Sequence, residues 1–259
     1  YGTGHPYGVP FTGTGTTAGV TAVTRADLQA FHARWLRPDN AALFVVGDTT
    51  LAQIVPLLET TFGDWQPDAA AARGTKSFTN VMAPAAARIV LIDRPGSPQS
   101  LILGGKVLGV KGRDDNGTAA FALVAANDLL GGLSTSRLNL NIREAKGWAY
   151  GVQSLASLVQ QQLPFLLFAP VQTDRTGDAL AAIAADMAAF GTTRPIDSAE
   201  RNKVVENGVR SLPGEFENAG SVLTSIERNA VFGRPDDYQA TLAARYQALT
   251  TAELNRAAL

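Results

Sequence analysis

The sequence predicts an α+β fold in which helices cover an antiparallel sheet, organised as two related domains of which the first is partial and the second nearly complete. Three observations carry this reading. β-like runs lie at 88–92, 99–104, 148–158 and 164–172, bounded by turn formers. From Asp174 onward helical segments follow one another, so strands and helices do not alternate strictly, which favours helices layered on an antiparallel sheet. Finally, Ala22-Val23-Thr24-Arg25-Ala26-Asp27-Leu28 resembles Ala248-Leu249-Thr250-Thr251-Ala252-Glu253-Leu254, an internal similarity of the kind that repeated domains leave.

After a glycine-rich opening, Thr24 precedes RADLQAFHARWLRPDN, in which Leu28, Phe31, Trp35 and Leu36 fall near helical spacing and Pro38 ends the run; this is a capped amphipathic helix. AALFVVGD at 41–48 is a short apolar run of strand type, and LAQIVPLLETTFGDW resumes a helical period. Residues 66–85 lose periodicity and gain Ala, Pro and Gly, the composition of a connector between domains. The reading is a first domain at 1–67, a linker at 68–85 and a second domain at 86–259, the second lacking its counterpart of the last strand and helix. In that second domain two β runs flank the turn formers Pro95, Gly96 and Pro98. A helix then ends at Gly131-Gly132, and a further helix follows with Ser134 as N-cap and Gly147 as C-cap. The strands WAYGVQSLASL and PFLLFAPVQ face each other across Gln160–Gln162, and four helical segments complete the chain.

Composition narrows the function classes. The chain has 259 residues, 46% hydrophobic and 17% charged, a globular balance without an apolar run near the roughly 20 residues a transmembrane helix requires. Its 22 Lys and Arg against 23 Asp and Glu leave a net charge of -1, which gives no reason to propose nucleic acid or an anionic membrane as partner. The absence of cysteine removes disulfides, thiolate zinc sites and cysteine nucleophiles together. No charged start or apolar h-region opens the sequence, so no signal peptide is read in it. Asp114-Asp115 and Asp236-Asp237 stand at predicted helix starts, where acidic side chains favour the positive end of the dipole. The Gly104-Gly105 and Gly131-Gly132 pairs lack the surroundings of a phosphate loop.

The ordered segments HPYGVP at 5–10, WLRPDNAALFVVGD and FGDW, followed by LGGLSTSRLNLNIREAKGWAYGVQS and then APVQTD, LPGEF and GRPDDY, resemble the insulinase or pitrilysin family of zinc peptidases. The resemblance covers nearly the whole chain. It implies repeated α+β domains whose halves close around a substrate, in the manner of the C-terminal half of a long bacterial member or a non-zinc partner subunit. It also implies an inverted zinc motif, H-x-x-E-H. The chain has two histidines, His5 and His32, too far apart for that motif, so zinc is expected in the complete enzyme from an upstream segment or partner chain, with no metal ligand here. His5 beside Pro6 reads as a loop residue and His32 as a surface or boundary residue.

Carried over by the resemblance, Arg143 and Tyr150 are the family's arginine and tyrosine, which act on the substrate carbonyl and backbone. A tyrosine hydroxyl can donate to a developing oxyanion, and an arginine supplies a fixed charged fork. The plain alternative is a surface charge paired with Glu144 or Asp174 and a half-buried strand aromatic. Gly131, Gly132, Ser134 and Ser136 are candidate substrate contacts, because a glycine-rich segment touches substrate in related subunits; they are equally explained as a helix stop and a cap. The expected function is part of a zinc endopeptidase acting on peptides or small unfolded proteins, with a non-catalytic scaffold subunit as the alternative. Bacterial relatives suggest the periplasm.

Overall fold

The computed structural model describes residues 1–2, 4–8, 13–113 and 117–258. The Asp114-Asp115 pair and the end of HPYGVP lie outside the described residues. The chain divides into two compact units, one formed by Tyr1–Asn80 with Asn218–Glu227 and the other by Val81–Glu217 with Arg228–Leu259. Its helices are α1 (Thr17–Ala22), α2 (Arg25–Trp35), α3 (Leu51–Phe62), α4 (Thr118–Asn127), α5 (Thr176–Ala189), α6 (Ser198–Ser211), α7 (Ala219–Phe232), α8 (Tyr238–Ala248) and α9 (Thr251–Ala257); the strands are β1 (Gln99–Lys111), β2 (Gln153–Ala156) and β3 (Gln162–Gln172).

In the first unit, α2 starts where the sequence indicates. The Thr24 hydroxyl accepts from the Asp27 N–H, and the Asp27 carboxylate accepts in return from the Thr24 N–H, a reciprocal cap that satisfies two otherwise orphaned donors. Below it, the RPDN motif forms a tight 3₁₀ turn, Pro38–Asn40. The Arg37 side chain is buried there, forked onto Asp39 at 2.8 and 3.0 Å and donating to the carbonyls of Asp68 and Ala71. Gly74 lies so close to Trp35 that an added Cβ would fall 2.5 Å from the indole.

Two runs expected as strands are extended without strand pairing. Residues 41–46 follow the 3₁₀ turn as unpaired backbone, with Leu43 and Val45 in solvent, and Ile89 to Ile92 are each at least 65% exposed. The apolar, β-branched composition suits a strand, but a strand is stabilised through a neighbouring ladder, and neither run finds one among the described residues.

The second unit holds the sheet. Strand order is β1-β3-β2, all antiparallel, with Gln99 opposite Gln172 at one end of the β1/β3 ladder and Lys111 opposite Gln162 at the other. A register shift between Val107 and Lys111 falls opposite Pro164, where a proline without an N–H is tolerated because the ladder is already interrupted. Only four residues of the run 148–158 pair as β2, Gln153–Ala156 against Phe165–Phe168. One face of β3, formed by Leu163, Leu167, Ala169 and Val171, is buried, whereas Leu101 and Leu103 of β1 remain exposed, the period-two signature of a sheet covered on one side. Leu138, Ile142, Ile183, Val204 and Leu254 close over that face. This is the predicted fold class: an antiparallel sheet with helices layered on it.

The four helical segments from 176 onward form as α5 to α8, and a further helix, α9, follows them. Thr250 caps α9 reciprocally with Glu253, as Thr24 caps α2. At α6 the cap does more, because Glu200 both completes the Asp197 capping box and forks onto Arg137 at 2.6 and 2.8 Å. Hydrogen bonding to Arg137 holds the Glu200 carboxyl below the ordinary carboxylate range.

Candidate functional site

The segment from Asp128 to Ser154 carries every candidate residue, and its backbone departs from regular helix in two places. After α4 the chain widens over Asp128–Gly132, where the Leu133 N–H reaches the Asp128 carbonyl five residues back. It widens again over Asn139–Ala145, with Lys146 N–H bonding to Asn141 O and Trp148 N–H to Ile142 O. Such π-type windings are uncommon and recur at functional sites. Gly147 ends the second one at φ +65° with its N–H on the Arg143 carbonyl, a left-handed stop that glycine adopts without a Cβ clash.

That stop turns the chain so that Arg143, on the last turn, and Tyr150, three residues past the glycine, come together. The Arg143 guanidinium carbon lies 5.6 Å from the Tyr150 ring centroid, within cation–π range. Its Nε is 3.3 Å from Glu144, with both side chains more than a third exposed, so this ion pair is a weak tether. Tyr150 itself is 87% exposed rather than half-buried in a sheet.

The backbone around this exposed ring is firmly held. The Trp148 carbonyl accepts from Gln172 N–H at 2.9 Å, and Ala149 bridges Val171 of β3. On the other side, Val152 N–H donates to Asn139 Oδ1 at 2.9 Å and Val152 O accepts from Asn139 Nδ2 at 2.8 Å. Two residues on, Ser154 O accepts from Asn127 Nδ2 at 3.0 Å, and Ser154 Oγ donates to Asn127 Oδ1 at 2.7 Å. Asn127, Asn139 and Ser154 are buried. Side-chain amides thus take the place of a partner strand along Val152–Ser154, and they fix the segment that presents Tyr150.

The four small candidates sit in this framework at different depths. Gly131 is buried, and a Cβ there would fall 2.5 Å from Ser154 Oγ; at Gly132 it would meet Asp128 Oδ1 at 2.5 Å. Ser134 is exposed in the turn. The cap lies two residues later, at Ser136, whose carbonyl accepts from the Leu140 N–H and whose buried Oγ accepts from Asn139 Nδ2 at 3.1 Å. Asn139 escapes sequence reading. The available signal was a polar residue of low helix propensity beside Leu138 in an otherwise helical run.

Residues 22–207 match the family description "Peptidase M16 inactive domain"; the chain belongs to the M16 peptidases, the insulinase family. It is 27% identical over 180 residues to an uncharacterized zinc protease of Mycobacterium tuberculosis strain H37Rv, covering 68% of this chain and 38% of that one. With an uncharacterized zinc protease of Mycobacterium leprae it shares 29% identity over 179 residues, covering 69% and 38%. The match therefore spans well under half the length of these curated relatives. Among solved structures, a peptidase M16 inactive domain from Pseudomonas fluorescens superposes with a TM-score of 0.78 at 22% identity, over 94% of this chain and 56% of that one. A protease from Helicobacter pylori gives 0.81 at 21% identity, over 94% and 58%. The periplasmic protease PqqL from Escherichia coli gives 0.60 at 19% identity, over 82% and 23%. These structures share the fold.

The side chains here do not fit a zinc site. Among the described residues, no group of three or more His, Cys, Asp or Glu is placed to hold a metal ion. Both nitrogens of His5 are engaged, Nε2 with Thr79 O at 3.1 Å and Nδ1 with Tyr7 N–H at 3.0 Å. His32 lies exposed on α2.

Proposed function

We propose that this chain is the C-terminal portion of a zinc-dependent endopeptidase that hydrolyses peptides or small unfolded proteins. Zinc is held by an upstream segment or a partner chain. In this reading 1–67 is the C-terminal part of one insulinase-type domain and 86–259 is a second such domain without its last strand and helix, joined by a linker at 68–85, and the matching reciprocal caps at Thr24/Asp27 and Thr250/Glu253 support the repeat. A periplasmic location is proposed with it, supported by the fold shared with a periplasmic protease.

The observation that carries the proposal is Tyr150: a large aromatic left 87% exposed on backbone pinned by Gln172, Val171 and Asn139. A merely structural tyrosine would be folded onto the sheet, where burial of its ring is favourable. Here the hydroxyl is free to donate to an oxyanion forming on a substrate carbonyl, and Arg143 orients the ring and offers its fork to the substrate backbone. Gly131, Gly132, Ser134 and Ser136 are proposed to line the approach to this pair, with Ser134 reaching substrate and the buried Gly131 and Ser136 shaping the support.

The test is Tyr150→Phe in the assembled enzyme. Peptide turnover should fall by about 10²-fold, the usual loss for one oxyanion donor, with zinc content unchanged. Wild-type turnover would place Tyr150 outside the chemistry and favour a scaffold role.

A further inference from the structure

The Val81–Glu217/Arg228–Leu259 unit also holds a cavity whose lining includes neither Arg143 nor Tyr150. This cavity of about 150 Å³ opens between α4 and α8, with Phe121, Val124, Leu158, Arg234, Tyr238 and Gln239 in its lining. Among the described residues, Arg234 Nε and Gln239 Oε1 are shut off from water without a hydrogen-bond partner. Buried polar groups are nearly always paired, and leaving one unpaired costs about 1 to 3 kcal/mol. Both side chains also line the cavity, so a ligand seated against them that drew these two groups toward it would satisfy a charged donor and a neutral acceptor together.

The electrostatics favour an anion on the arginine side. The Arg234 guanidinium carbon is stacked 4.2 Å from the Tyr238 ring centroid and 4.9 Å from that of Phe232, and Arg245 lies 4.7 Å from the same Tyr238 ring. Burial lowers the pKa of Arg234, and the neighbouring Arg228 and Arg245 act in the same direction. Arg228 is also in the lining, where Glu215 is the one carboxylate among the described residues. The ring contacts hold the guanidinium plane in place, so its fork is oriented before any ligand arrives.

We infer that this cavity binds the free α-carboxylate of a peptide C-terminus, with the carboxylate on Arg234, the terminal residue's amide N–H on Gln239 Oε1 and an apolar terminal side chain against Phe121, Val124 and Leu158. Carboxylate geometry suits a guanidinium fork. A bare anion would leave Gln239 unsatisfied and the apolar wall uncovered, whereas a terminal peptide residue answers all three. The volume is below the roughly 300 Å³ at which drug-sized sites begin, which limits the occupant to about one residue.

The inference rests on this cavity alone and not on the peptidase reading, so its test uses binding without turnover. Calorimetric titration of the protein with N-acetylleucine should show saturable binding, weakened at least tenfold for N-acetylleucinamide, which lacks the carboxylate. Arg234→Gln should weaken N-acetylleucine by at least tenfold. Should that variant unfold by circular dichroism, Gln239→Glu reads the same contact by setting a carboxylate against the ligand's. Tyr150→Phe should bind like the wild type. Equal binding of acid and amide, binding of inorganic phosphate as tight as that of N-acetylleucine, no binding at all, or wild-type affinity in a folded Arg234→Gln or Gln239→Glu protein would overturn the site.

Discussion

Asn139 acts toward Val152 as a strand would. Its Oδ1 accepts the Val152 N–H at 2.9 Å, and its Nδ2 donates to the Val152 carbonyl at 2.8 Å. The same amide reaches the Leu133 carbonyl and Ser136 Oγ, each at 3.1 Å, so one side chain joins the turn after α4, the π-wound helix and the approach to β2.

Asn139→Ala should therefore cost more than a typical buried polar truncation. It leaves the Val152 N–H and C=O beside a cavity without partners, a loss of about 2 to 4 kcal/mol. Asn139→Asp keeps an acceptor for the N–H but sets a carboxylate oxygen against the Val152 and Leu133 carbonyls, so it should not rescue. Urea unfolding midpoints check both. In a peptidase carrying Asn139→Ala, turnover should fall with Tyr150 chemically intact, because the backbone that aims the ring is loosened.

Gly131 tests packing against ligand contact. A Cβ there would lie 2.5 Å from Ser154 Oγ and 2.8 Å from Ser154 N, and the Ser154 hydroxyl is committed to Asn127. Gly131→Ala should destabilise by about 1 to 3 kcal/mol through overpacking. Ser154→Gly removes the obstructing hydroxyl and should couple to it, the double variant losing less than the sum of the two singles. Strict additivity in thermal unfolding would mean that the two residues do not meet.

The sequence is informative where a residue has a local reason to be where it is. Thr24, Asp197, Thr250 and Gly147 mark helix ends because capping chemistry is decided within three or four residues. Alternation in PFLLFAPVQ marks the central strand, since Leu167, Ala169 and Val171 bury on one face. Pairing is not local. The run Arg88–Ile92 has the composition of a strand but finds no partner among the described residues, and β2 pairs with β3 over four residues only, with Asn127 and Asn139 bonding Ser154 and Val152 beside that ladder. The cavity at Arg234 was equally hidden. Phe121, Leu158, Arg234 and Gln239 are brought to one place by tertiary packing, and GRPDDY alone shows only a turn.

Asp128 offers a pH signature. Burial beside the first π-wound turn pushes its carboxyl up to about 6 from 3.8, so the folded protein holds this proton more tightly than the unfolded chain does. Stability from this group is then greatest below pH 3.8, declines as pH rises through about 6 and levels off above it. Asp128→Asn removes the ionisation while keeping the shape, and should match the wild type near pH 4 but exceed it by about 1 to 3 kcal/mol at pH 7.5. Carboxylates such as Glu200, whose pKa is depressed, contribute the opposite slope, but equally in both proteins, so the difference between the two unfolding curves isolates Asp128. A difference that is the same at both pH values would show that its carboxyl titrates as it does in water.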